Sequence, residues 1–172
     1  MQFKLEQAVE ILSQTPATLR SLLNNLSEDW THGGDRDNWS AYDVVGHLVQ
    51  GEKDLWIPRI KIVLAQGENP AFEPFDRYAH FENSKGKILR ELLDDFEAAR
   101  GESLMRLEAL DITPEKLSLK CMHPDLGEID LEKLLSTWAV HDLTHTRQII
   151  IFMAKKYADN VGPWKQYLSV LK

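Results

Sequence analysis

The chain has 172 residues, 43% hydrophobic and 27% charged, a balance that suits one globular domain over residues 1-172 and argues against disorder as its main state. Its 20 basic and 27 acidic residues leave a net charge of −7, so it lacks the cationic surplus that nucleic acid and anionic membranes attract. The single cysteine, Cys121, excludes an internal disulfide and fits a reducing cytoplasm.

The first residues, Met1-Gln2-Phe3-Lys4-Leu5-Glu6, hold no apolar leader segment. The longest apolar run, Ile149 to Ala154, is far short of the ~20 residues that span a bilayer. Leucines at helical spacing predict a first helix from about Phe3 to Leu26, with Thr15-Pro16 expected to kink or restart it and Thr15 to cap the second piece. Ser27 to Trp39 is polar, contains Gly33-Gly34 and reads as a loop. Ser40, followed three residues later by Asp43, opens a second helix that runs to about Ala65 and bends near Pro58. Gln66 to Asn83 reads as a long connection, and a third helix follows from about Ser84 to Leu110, with Gly101 its weak point. Residues 117–129 allow a short hairpin. Asp130 then caps a fourth helix that continues to about Ala158, and Trp164 to Leu171 reads as a short tail helix. Four long helices make the chain all-α, a four-helix bundle.

The fourth helix carries His141-Asp142-Leu143-Thr144-His145. An i,i+4 pair lies ~40° apart around a helix and ~6 Å apart along it, so both imidazoles project to one side. Leu134, Trp138, Gln148 and Phe152 share that sector, which makes it the inward stripe. Two inward histidines can bind one divalent metal through neutral ring nitrogens, or they can be simple core polarity. His47 on the second helix, with Gly51 one turn on leaving space over its ring, is the best third ligand. Three histidines with positions left over is the pattern of a catalytic metal site. The metalloprotease reading is disfavoured, because Asp142 stands where that signature has glutamate.

Around this trio, Asp43 is either an acceptor for the His47 ring or the capping partner of Ser40. Trp138 and Gln148 flank the pair, Trp138 as a core residue or a pocket residue and Gln148 as a pocket or supporting residue that needs a polar partner on an inward stripe. Asp54 reads as a solvated acid. His32, His80 and His123 fall in loops and read as surface residues, as does Arg147, and Cys121 as a buried inert thiol. The catalytic acid or base is not readable.

Several of these stretches together resemble one family. They are Thr15-Pro16-Ala17-Thr18-Leu19, Asn38-Trp39-Ser40, Val44-Val45-Gly46-His47-Leu48 with Glu52, and His141 through Ile149. On them the chain resembles the DinB-like superfamily of metal-binding four-helix bundles, which includes thiol-dependent S-transferases and mycothiol-dependent maleylpyruvate isomerases. The resemblance implies an up-down-down-up bundle and a homodimer. It implies a divalent metal, nickel or zinc, on His47, His141 and His145. It also implies a small-molecule substrate and a metal-dependent thiol transfer to a small electrophile, with a low-molecular-weight thiol as co-substrate. Metal-dependent hydrolysis and a non-enzymatic stress-response bundle are the alternatives. Thr146 stands where relatives often carry a further histidine.

Overall fold

The computed structural model describes residues 2–172. Met1, from which the expected single-domain span runs, lies outside the described residues. Four long helical segments form the bundle: α1 (Leu5–Leu23), α3 (Ala41–Asp54) continued by α4 (Trp56–Ala65), α6 (Leu89–Ala109) and α7 (Leu131–Lys155). Short helices α2 (Glu28–Thr31) and α5 (His80–Asn83) lie in the connections. No described helix is long and apolar enough to cross a membrane.

Side-chain pairs fix the direction of each helix. Arg20 binds Glu97 while Arg100 reaches the Leu12 carbonyl, so α1 and α6 are antiparallel. Tyr42 donates to the Lys87 carbonyl just before α6 and Glu52 binds Arg100 within it, so α3 and α6 run parallel. His47 lies against His145 and Glu52 against Trp138, so α3 and α7 are antiparallel. The order is therefore up-down-down-up. α1 and α3 each pack on both α6 and α7, which puts α1 diagonally across from α3 and α6 diagonally across from α7.

Local chemistry explains where the elements differ from the sequence expectation. α1 runs unbroken through Pro16, and Thr15 does not cap a restart but bonds back to the Ile11 carbonyl. Proline lacks the N–H that would occupy the Leu12 carbonyl, and Arg100 supplies that hydrogen bond at 2.7 Å. The second helix divides at Leu55. Pro58 cannot donate to Asp54, and its ring crowds that carbonyl, so α3 ends there. The third helix starts at Leu89 rather than near Ser84, because Gly86 turns the chain with φ +80° and Glu91 reaches back to the Ile88 N–H. The expected hairpin forms as β1 (Lys120–His123) and β2 (Gly127–Asp130), and Ala71 bridges to Met122 beside it. The tail is two 3₁₀ turns, Gly162–Tyr167 and Ser169–Leu171.

Ser40 and Asp43 form a reciprocal cap on α3. The loop before them is held close, and a Cβ on Gly34 would collide with the Ser40 backbone nitrogen and the Asn38 carbonyl. Gly34→Ala is expected to cost about 1–3 kcal/mol, read by urea denaturation, because backbone rather than a flexible side chain must move.

The buried core falls into two apolar halves. One gathers Leu12, Trp56, Ile60, Leu107, Leu135 and Trp138, the other Leu19, Val45, Leu48, Leu92, Phe96 and Ile149. Between them lies a polar layer, with Glu52, Arg100, Ser103 and Asp142 buried and the histidines alongside.

Candidate metal centre

α3 and α7 bring His47, His141 and His145 together, with one ring nitrogen of each within 4.8 Å of the others. The Nε2 atoms converge. His47 Nε2 is 3.3 Å from His141 Nε2, which is 3.1 Å from His145 Nε2. Two nitrogens each about 2.0–2.1 Å from one ion at near-tetrahedral angles lie about 3.3–3.4 Å apart. The donor set therefore fits a single divalent ion with little movement. His145 Nδ1 donates to Gln148 Oε1 at 2.8 Å, which leaves its Nε2 lone pair facing the other two rings.

All three rings are held in the neutral form a metal requires. Burial, followed by the neighbouring His145 and His80, pushes His47 down to about 3. Burial, followed by His145 and His47, pushes His141 down to about 2. His145 is lowered by burial, partly offset by its bond to Gln148. Aromatic rings wall the site: Trp39 lies 4.9 Å and Phe75 6.1 Å from His47, and Trp56 lies 5.2 Å from His141. His141 keeps part of its surface exposed, whereas His47 is buried. A cleft of about 320 Å³ opens beside Trp39, Gln148 and Phe152.

Of the flanking residues, Gln148 contacts the trio directly. Asp43 does not bond the His47 ring, because its carboxylate accepts from the Ser40 N–H and hydroxyl at 2.9 and 2.6 Å. Trp138 is fully buried, stacks on Trp56 and donates to Glu52 Oε1 at 3.0 Å. Asp54 and Arg147 are exposed, His32 is half-buried against Tyr42, and His123 half-buried near Phe72. Cys121 is buried and its thiol is pushed up by that burial.

His80 corrects its expected surface position. It is 1% exposed, with its ring 4.5 Å from Trp39 and 5.5 Å from His47. A short helix inside the long connection carries it inward, and Gly46 allows the close approach, since a Cβ there would strike Ser84 Oγ. The other feature that spacing did not reveal is the layer below the trio. Arg100 binds Asp142 at 2.6 and 3.0 Å and Glu52 at 2.7 Å. Burial opposes its charge, but the hydrogen bonds to Asp142 and Glu52 outweigh it and raise its pKa. Asp142 adjoins His141 and Glu52 follows His47 on α3, so the ion pairs clasp the two helices that carry the histidines.

Comparison with known proteins agrees with this architecture. A protein of Oceanobacillus iheyensis, named a putative metal-dependent hydrolase, is 24% identical over 162 residues, covering 89% of this chain and 84% of its own. The solved structure of YfiT from Bacillus subtilis, described as a probable metal-dependent hydrolase with an unusual four-helix bundle topology, superposes with a TM-score of 0.73. It is 23% identical, covers 88% of this chain and 86% of its own, and the likeness is one of fold. The sequence pattern of the DinB superfamily matches residues 11–149, from within α1 to the turn of α7 just past the histidine pair, and the chain belongs to that superfamily.

Proposed function

We propose that this chain is a metal-dependent hydrolase of small molecules, with a divalent ion, zinc or nickel, held by His47, His141 and His145. The observation that carries the reading is the convergence of three histidines from two helices in an aromatic-walled site, with His141 Nε2 3.3 Å from His47 Nε2 and 3.1 Å from His145 Nε2 and all three within 4.8 Å of one another. The name borne by the Oceanobacillus relative supports hydrolysis over the thiol transfer expected from the resemblance.

A bound divalent ion would supply an acidified water and polarisation of a substrate carbonyl or phosphoryl oxygen. The chain's own residues prepare for this. Gln148 holds the proton of His145 on Nδ1 and so aims Nε2 at the centre. Burial keeps His47 and His141 unprotonated at neutral pH. Trp39, Trp56 and Phe75 exclude bulk water from one side of the site.

The test is metal content of tag-free protein by mass spectrometry, followed by assays on ester and amide substrates with and without added thiol. Near-stoichiometric metal is expected in wild type and its loss in His141→Ala, with turnover that needs metal and no thiol. Turnover only with thiol would return the reading to S-transfer, and a wild type that binds no added zinc, nickel or manganese would sink it. Gln148→Ala is expected to retain the fold while weakening metal affinity about 10–100-fold, measured by competition with a chelating dye.

A further inference from the structure

We infer that Arg77 is a specificity residue of this site and binds an oxyanionic group, a carboxylate or phosphate, on the substrate. The inference rests on the hydrolase reading for the reaction, although anion binding can be measured without it. Arg77 lies in the connection between α4 and α5, and its backbone is fixed from below. The buried His80 donates from Nδ1 to the Arg77 carbonyl at 2.9 Å. Gly46, next to His47, is what lets this segment sit against α3.

From that anchor the Arg77 guanidinium spreads over two rings, 5.3 Å from the centre of Trp39 and 5.2 Å from that of Tyr78. Trp39 in turn touches the trio, 4.9 Å from His47 and stacked within 9° of His145 at 6.3 Å. Arg36 adds a second guanidinium 4.4 Å from the Tyr78 ring.

Neither Arg77 nor Arg36 makes an ion pair among the described residues, a state they share with Arg59, Arg90 and Arg147, but only these two lie over the aromatic rings beside the trio. The nearby acids are turned to other partners. Asp76 accepts from the Tyr78 N–H, Asp35 from those of Asp37 and Asn38, and Asp43 from Ser40. In a chain of net charge −7, this leaves a cationic fork on an aromatic shelf beside the candidate metal centre. A guanidinium held over aromatic rings keeps its in-plane N–H donors available for a bidentate oxyanion, which a neutral group cannot match.

The test uses benzoate, phenylphosphonate and neutral benzamide as probes of the metal-loaded protein, followed by tryptophan fluorescence and calorimetry. Arg77→Gln is expected to bind benzoate, phenylphosphonate or both about tenfold more weakly, with benzamide unchanged and metal per chain equal to wild type. The larger of the two losses identifies whether carboxylate or phosphate is the natural group. Equal affinity for both anions in wild type and Arg77→Gln, or an equal loss for benzamide, overturns the inference. Should wild type hold no metal, the hydrolase reading fails. The same titrations on the metal-free chain then decide Arg77 separately, by the presence or absence of the tenfold anion-selective loss.

Discussion

Arg100→Met is expected to lower the unfolding free energy by about 3–5 kcal/mol, because removing one partner strands the others as buried uncompensated charge. The guanidinium is 2% exposed, and the side chains of Glu52 and Asp142 that flank it are 1% exposed. It also holds the Leu12 carbonyl that Pro16 leaves without an amide partner. Four helices meet at this residue: α6 contributes it, α3 and α7 supply the carboxylates, and α1 the carbonyl. At about 2–4 °C per kcal/mol for a domain of this size, the melting temperature should fall by roughly 6–20 °C. The triple variant Arg100→Met/Glu52→Gln/Asp142→Asn should recover much of the loss, because it removes the stranded charges along with the cation. Thermal and urea unfolding of the three proteins decide this. A single variant within about 0.5 kcal/mol of wild type would show that water, not Arg100, satisfies the carboxylates.

That cluster marks the boundary of what spacing alone conveys. The leucine stripes of α1 and α6 and the Ser40–Asp43 cap are local patterns, and each predicts an element that the fold contains. The pair His141 and His145 is equally local, since one helical turn forces the two rings to one side. Arg100 is different. In the sequence it is one charged residue in a run of charged and small ones, and only the tertiary arrangement reveals three acceptors around it. Pro16 misleads for the same reason. Its local rule predicts a break, and the hydrogen bond lost at the Leu12 carbonyl is replaced by Arg100, 88 residues beyond Leu12 on another helix.

The connections were least legible. A long polar stretch with glycine and proline reads as surface, which misplaces His80. The available signal was Gly46 beside His47: a glycine inside a helix raises the question of what packs there, and the answer is the His80–Ser84 segment. Asp43 illustrates competition between two roles. The capping box is satisfied within four residues of chain, and that local bond takes the carboxylate away from the His47 ring.

Metal-free protein is expected to lose stability steeply as pH falls from about 6.5, well before ordinary carboxylates titrate. The sign follows from the histidines. In the unfolded chain each ring binds a proton near its ordinary value of about 6.5. In the fold His47 stays neutral until about 3 and His141 until about 2, because burial disfavours their charged forms. The unfolded state therefore binds more protons throughout that window. The stability these neutral rings allow is intact above 6.5 and drains away as pH falls. Two rings taking up protons on unfolding give a slope of about 2.7 kcal/mol per pH unit between roughly pH 5.5 and 4. His145 and His80 are lowered too and act in the same direction. Over that range the loss approaches the whole stability of a typical domain, about 5–15 kcal/mol, so acid unfolding should begin above pH 4. Zinc or nickel should oppose it near neutral pH, raising stability by about 4 kcal/mol when free metal is a thousandfold above Kd, and should do so less as protons compete for the same lone pairs. Melting curves in chelator and in excess metal, from pH 7.5 to 4.5, measure both effects, with His141→Leu expected to show a shallower acid slope and no metal response. A melting temperature flat across that range in chelator would mean the histidines are charged or solvated in the fold, and the packed neutral trio would then be wrong.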